Sequence, residues 1–273
     1  MTNEIVGWKF FFQSQSSEIV FLMLDIVGWK FFLALGNHYF KFKQFTIQQD
    51  RSAMKVCTDA CLQGAYTAHY LGGRSDVQQV LDIGAGTGLL SLMGAQQSNA
   101  HFTGIELDAQ ACAQAADNFA ASPWKSRLTA VCGDARIFES ATVFDFIITN
   151  PPFYEDDLKS SHALRNQAMH ATQLRFPDLL QVIRRHLKPG GQFSVLLPTA
   201  PLAAFQPLAE AQGFFLQKLL QVRHREGHPL FRSIGIFGET QVDTEVQEMA
   251  IHSEGQQYSP AFIDLLKDYY LYL

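Results

Sequence analysis

From residue 80 onward the chain alternates short apolar runs with stretches of helical periodicity. Val80-Leu81-Asp82-Ile83-Gly84 reads as a buried strand, and Leu89 to Gln97 as a helix. His101 to Leu107 is a second strand, followed by an alanine-rich helix from Ala109 to Ala120. Leu128 to Cys132 and Phe144 to Thr149 are a third and a fourth strand, and Leu174 to Leu187 is helical, stopping at Pro189-Gly190-Gly191. Gln192 to Leu197 is a fifth strand. Strands separated by helical patterns of about 10–15 residues are βαβ units, so they predict a mostly parallel sheet with helices on both faces. Beyond Phe214 the pattern changes to antiparallel strands, Phe214 to Val222 and Phe231 to Phe237, and a closing helix near Pro260 to Tyr270. No linker divides this region, which predicts one α/β domain over residues 37–273.

Residues 1–36 do not share the pattern. Ile5-Val6-Gly7-Trp8-Lys9-Phe10-Phe11 recurs as Ile26-Val27-Gly28-Trp29-Lys30-Phe31-Phe32, each copy preceded by an acid, Glu4 or Asp25. Two copies are too few for a solenoid, which needs about three repeats to bury a core. Asp25 and Lys30 interrupt the apolar stretch around the second copy, and a membrane span needs about 20 apolar residues. The expectation is an atypical apolar leader outside the folded core, with no stable membrane association.

Composition bounds the class. The chain has 273 residues, of which 47% are apolar and 17% charged, and this excludes a disordered chain or a coiled coil. A formal net charge of −5 argues against whole-surface capture of nucleic acid, so any such contact is expected to be local. The four cysteines, Cys57, Cys61, Cys112 and Cys132, form no C-x-x-C pair and no zinc-ligand spacing. They are read as reduced core thiols, with no metal expected.

A doubly wound sheet binds ligands at the carboxyl ends of its strands, at the point where the strand order reverses. Four features fall at four successive strand ends. Asp82-Ile83-Gly84-Ala85-Gly86-Thr87-Gly88 is a glycine-rich turn before a helix, where the backbone can approach a ligand closely; a plain tight turn is the alternative. The spacing is G-x-G-x-G, and no Lys-Ser/Thr follows as in a phosphate-binding loop. Glu106 ends the second strand, where a carboxylate can accept two ribose hydroxyls or simply stand in solvent. Gly133-Asp134-Ala135 ends the third, and Asp134 there either accepts from an adenine amino group or caps a helix. Asn150-Pro151-Pro152-Phe153 ends the fourth. Two prolines fix φ and free the carbonyls of Asn150 and Pro151 from any ladder. Two acceptors beside an aromatic ring suit a planar substrate bearing an –NH₂ group, with Phe153 stacked on its face.

At these residues the chain resembles the class I S-adenosylmethionine-dependent methyltransferases, in the amino-methylating branch marked by Asn-Pro-Pro-aromatic. Within that branch it is most similar to the bacterial tRNA(Val) adenine-N6 methyltransferase family. The resemblance runs from about Phe40 to Leu273 and includes Phe42-Lys43-Gln44-Phe45, Asp50-Arg51-Ser52-Ala53-Met54-Lys55-Val56, Ser122-Pro123-Trp124, Asn150-Pro151-Pro152-Phe153-Tyr154 and Gln257-Tyr258-Ser259. Where the family reads Gly-Thr-Asp-Gly after Met-Lys-Val, this chain has Cys57-Thr58-Asp59-Ala60. A glycine required there for positive φ would make Cys57 costly.

The resemblance implies a Rossmann-like class I methyltransferase fold with a seven-stranded, mostly parallel sheet. It implies S-adenosyl-L-methionine as cofactor, held by Asp82, Gly84, Gly86, Gly88, Glu106, Asp134, Thr58 and Asp59. Asn150, Pro151 and Phe153 are expected to carry the chemistry, and Pro152, Tyr154, Lys41, Lys43, Arg51 and Lys55 to bind substrate. The implied substrate is tRNA, methylated at N6 of the adenosine immediately 3′ of the tRNA(Val) anticodon, in the cytoplasm, with no DNA partner. The basic set Lys41, Lys43, Arg51 and Lys55 is interleaved with Phe40, Phe42 and Phe45, which suits stacking with phosphate contact. Arg223-His224-Arg225, His228 and Arg232 form a second local set, and Tyr154 to Thr172 reads as a long polar loop beside the site. Three other readings compete. A release-factor glutamine-N5 methyltransferase shares Asn-Pro-Pro-aromatic, but carries a helical domain that the leader does not supply. A nicotinamide dehydrogenase explains Glu106 but not the two prolines, and an RNA-binding module with a vestigial cofactor site would read similarly.

Overall fold

The computed structural model describes residues 20–26, 29–35, 37–151 and 174–273. Its centre is an eight-stranded sheet made of β5 (Gln79–Ile83), β6 (His101–Glu106), β7 (Leu128–Cys132), β8 (Phe144–Thr149), β9 (Leu187–Pro198), β10 (Phe215–Arg225), β11 (Leu230–Gly238) and β12 (Glu245–His252). The spatial order is β12-β10-β11-β9-β8-β5-β6-β7. Only β11 runs against the others, pairing antiparallel with both β9 and β10. The sheet therefore has one strand more than the seven expected: Glu245–His252 joins the edge parallel to β10. Its exposed Glu245, Gln247 and Glu248 mask it as a strand, because an edge strand with one solvated face carries a weak apolar signal.

Alternation along the strands divides the core in two. Val80, Phe146 and Ile148 face one layer, and Leu81, Ile83 and Ile147 face the other. The first layer holds α1 (Thr58–Gly72), α2 (Leu89–Gln97), α3 (Ala109–Ala121) and α6 (Pro260–Leu266). The second holds α4 (Phe176–His186) and α5 (Thr199–Ala211). In α4, Leu179, Leu180, Val182 and Ile183 are buried while Arg184 and Arg185 close the helix on its exposed face. α2 is buried along most of its length, because α1 covers the side that the sheet does not.

Two small antiparallel pairs lie outside the main sheet. β3 (Tyr39–Lys41) and β4 (Thr46–Gln48) form a short hairpin against α3, while β1 (Val20–Ile26) and β2 (Trp29–Leu35) pair with each other. Among the described residues no helix is long and apolar enough to cross a membrane.

The chain runs outward through β5, β6 and β7, then crosses back to place β8 on the other side of β5. That reversal puts the carboxyl ends of β5 and β8 side by side, with Ile83 in register with Thr149.

Candidate active site

The turn after β5 is built from glycines whose conformation other residues rarely adopt. Gly84, Gly86 and Gly88 have φ of +74°, +55° and +82°. A Cβ at Gly84 or Gly86 would meet no atom within 4 Å, so these two present bare backbone to open space. At Gly88 a Cβ would lie 2.4 Å from the Phe119 ring, so packing against α3 also demands glycine there. Asn118, next to Phe119, donates from Nδ2 to the Thr87 carbonyl and to the Gln48 carbonyl, both at 2.9 Å. The glycine turn is thereby stitched to α3 and to β4.

Glu106, at the end of β6, closes the turn from the far side. Its Oε2 accepts from the Gly86 amide at 2.8 Å and its Oε1 from the Asp108 amide at 2.9 Å. Asp108 caps α3, accepting from the Ala111 amide at 2.7 Å. Beneath the turn lies Asp82, fully buried. Its Oδ2 accepts from the Ser91 hydroxyl at 2.8 Å and the Ser91 amide at 3.2 Å, while Oδ1 has no partner among the described residues. Burial pushes the Asp82 carboxyl up to about 7, Ser91 opposes this, and the charge of Glu106 adds to it.

Asp134 stands at the end of β7, half-buried, beside Gly133, whose amide donates to the Glu106 carbonyl at 2.9 Å. It does not cap a helix; its carboxylate holds the Arg136 guanidinium at 2.6 Å, and this pairing pulls its pKa below the ordinary value. The residue before Gly133 brings a correction. Cys132 is bonded to Cys112 of α3 in a disulfide, so these two are not reduced core thiols. The parallel packing of β6 and β7 under α3 brings residues 20 apart in sequence to a Cα separation of 5.5 Å, which the spacing alone does not reveal. Cys57 and Cys61 are free.

The turn after β8 starts at Asn150, half-buried, and Pro151, buried. Pro152, Phe153 and Tyr154 lie outside the described residues, as does the polar stretch Tyr154 to Thr172. Thr58 and Asp59 open α1, and Asp59 pairs with Arg232 of β11 at 2.6 Å. Cys57 has φ −131° and ψ 160°, extended backbone that any residue adopts, so the departure from glycine there carries no strain.

The four cations expected to meet substrate are not brought together. Lys43 reaches the Lys267 carbonyl, next to Asp268, which meets Gln96 and Gln97 in the last turn of α2. That is the edge where the strands begin, opposite the glycine turn, and Lys41 lies on the same small hairpin. Arg51 pairs with Asp117, and Lys55 donates to the Gln49 carbonyl, both in the segment that leads from β4 to α1.

Residues that the sequence did not single out complete the site: Ser91 under Asp82, Asn118 behind Thr87, Arg136 on Asp134, and Gln63, whose Nε2 donates to the Thr149 carbonyl at 2.8 Å. Ser91 carried a faint signal, a hydroxyl in the first turn after the glycines. Gln63 carried none, being one of several polar residues along α1 with no motif around it.

Comparisons with known proteins agree with this geometry. The family model of the methyltransferase small domain matches residues 71–200. The chain is 41% identical over 240 residues to a protein of Dyadobacter fermentans named tRNA1(Val) (adenine(37)-N6)-methyltransferase, covering 86% of this chain and 98% of that one. A protein of the same name from Pectobacterium carotovorum is 37% identical over 245 residues, 88% of this chain and 97% of its own length. Among solved structures, a protein of Agrobacterium tumefaciens described as a predicted O-methyltransferase superposes with a TM-score of 0.58 at 18% identity, covering 77% of this chain and 96% of that one. Pyrococcus horikoshii TYW2 in complex with MeSAdo gives 0.53 at 15% identity, covering 77% and 75%. These structures establish a class I methyltransferase fold. With more than a third of its residues shared across nearly the whole length of such relatives, the chain belongs to the tRNA1(Val) (adenine(37)-N6)-methyltransferase family.

Proposed function

We propose that the protein methylates the N6 amino group of adenine in tRNA, at the adenosine immediately 3′ of the tRNA(Val) anticodon, using S-adenosyl-L-methionine in the cytoplasm. The observation that carries this reading is the side-by-side placement of the glycine turn and the Asn150-Pro151 turn at the ends of β5 and β8. The residues present fit the cofactor. Gly84 and Gly86 leave room against their backbone, Glu106 offers carboxylate oxygens for ribose hydroxyls, and Asp82 has a buried oxygen without a partner. The proposal gives Asp134, Thr58 and Asp59 the remaining contacts to the cofactor. When bound, the cofactor supplies a methyl group already activated on a sulfonium sulfur.

The protein's own task is then alignment and charge. The N6 lone pair is delocalised into the adenine ring, which makes it a poor nucleophile. Asn150 and the Pro151 carbonyl accept its two hydrogens, favouring a pyramidal nitrogen and steadying the positive charge that develops on it. Phe153 stacks on the base, with Pro152 and Tyr154 beside it, after the base leaves the anticodon-loop stack. For RNA contact the reading favours Arg51 and Lys55 over Lys41 and Lys43, because they follow Gln48, which Asn118 ties to Thr87 of the glycine turn. A glutamine-N5 activity on release factors would use the same two acceptors, but the relatives' names favour RNA. The test is nucleoside mass spectrometry of tRNA incubated with protein and cofactor. N6-methyladenosine is expected, and its absence with cofactor bound overturns the reading.

A further inference from the structure

Gln63 is completely buried on α1, and it spends its amide on a single backbone group next to the site. Its Nε2 donates to the Thr149 carbonyl at 2.8 Å. The Thr149 hydroxyl in turn donates to the Ile83 carbonyl at 3.0 Å. Ile83 and Thr149 are register partners, and they are the last residues before Gly84 and Asn150. One hydroxyl thus ties together the two peptides from which the glycine turn and the acceptor turn depart, and Gln63 fixes the carbonyl of one of them.

We infer that Gln63 and Thr149 are positioning residues for methyl transfer, the chain Gln63–Thr149–Ile83 setting the separation between the glycine turn and the Asn150 acceptor. The inference rests on the proposed role of Asn150. Two observations separate it from ordinary core packing. The Gln63 Oε1 is buried with no partner among the described residues, so the amide pays a desolvation cost that a leucine of similar size would avoid. One and two turns further along α1, Thr67 bonds Ser194 and Tyr70 bonds Gln192, so the helix is already held to the sheet without Gln63. What Gln63 adds is local to Thr149. In-line transfer is sensitive to small displacements of the acceptor, and errors of about 1 Å cost up to roughly a hundredfold in rate.

The experiment compares wild type with Gln63→Leu, Thr149→Val, Thr149→Ser and the Gln63→Leu/Thr149→Val double variant. Single-turnover transfer to tRNA at saturating cofactor, cofactor affinity by calorimetry and the melting temperature are measured for each. Gln63→Leu and Thr149→Val are expected to slow transfer about tenfold with cofactor affinity within about twofold of wild type. Gln63→Leu should melt at or above the wild-type temperature, and Thr149→Ser, which keeps the hydroxyl, should restore the rate. The double variant should lose little more than the worse single one, because both act through one chain. Unchanged rates overturn the inference, as does a rate loss that follows cofactor affinity or melting temperature. If wild type itself yields no N6-methyladenosine, the proposed function falls and this inference falls with it.

Discussion

The Glu106 carboxylate accepts the Gly86 amide across 2.8 Å, joining the end of β6 to the middle of the glycine turn. The same group is the one proposed to accept the ribose hydroxyls, so it holds the turn in shape and binds its ligand. A glutamine at this position can still accept from Gly86 but offers one acceptor oxygen where the carboxylate has two, and no charge. Glu106→Gln is expected to weaken S-adenosylhomocysteine binding by about tenfold or more in calorimetry, with transfer at saturating cofactor within a few-fold of wild type. Unaltered affinity would remove Glu106 from the cofactor site.

Asp82 makes stability depend on pH in a predictable direction. Its folded-state pKa is raised from 3.8 to about 7, chiefly by burial. Between those values the folded protein binds more protons at this group than the unfolded chain does. Stability therefore falls as pH rises through that window, and the full cost of the buried charge is present above about 7. The upper bound is about 4 kcal/mol, from roughly three pKa units. Asp82→Asn keeps an oxygen for Ser91 and carries no charge. Chemical denaturation at pH 5 and pH 8 should show the variant gaining on wild type at the higher pH; parallel behaviour at the two values contradicts it.

The Cys112–Cys132 disulfide joins α3 to the strand that delivers Asp134. Closing a loop of 20 residues is worth about 3 kcal/mol in the chain-entropy model. Thiol titration of the denatured, non-reduced protein should find two reactive cysteines, Cys57 and Cys61, and reduction should lower the melting temperature by several degrees. Four reactive thiols before reduction would mean that the bond does not form in solution.

Much of this was legible in the sequence because the central strands β5 and β8 are apolar runs buried on both faces, and β5, β7 and β8 stop at Gly84, Gly133 and Asn150-Pro151. Leu128–Cys132 and Phe144–Thr149 have the bounds that their apolar runs predict, and Leu89–Gln97 is the helix its periodicity describes. What escaped depends on tertiary proximity. The Cys112–Cys132 pairing, the Asp59–Arg232 ion pair and the Gln63–Thr149 bond each join residues 20 or more positions apart, and no local pattern encodes them. The separation of Lys41 and Lys43 from Arg51 and Lys55 was hidden for the same reason. They are near in sequence, but β4 carries the chain from Phe45, which packs on Trp124 just beyond α3, to Gln48, which Asn118 ties to Thr87 of the glycine turn.

In the proposed mechanism the chemistry rests on Asn150, and removing its side chain should separate binding from transfer. It leaves β8 just after Thr149, whose carbonyl and hydroxyl are both tied, so truncating its side chain leaves the supporting bonds of the turn intact. The same proposal gives cofactor affinity to the glycine turn and Glu106, whose hydrogen bonds do not involve the Asn150 amide. Asn150→Ala is therefore expected to bind S-adenosylhomocysteine with near-wild-type affinity and to lose methyl transfer by about a hundredfold or more, the scale on which lost transition-state hydrogen bonds act. Asn150→Asp keeps an acceptor and brings a negative charge beside the N6 amino group, so it should retain more activity than alanine. Single-turnover rates at saturating cofactor decide the matter. Transfer by Asn150→Ala within a few-fold of wild type would mean that acceptance of the amino hydrogens does not limit the reaction, and the role given to the turn after β8 would have to pass to the base-stacking residues.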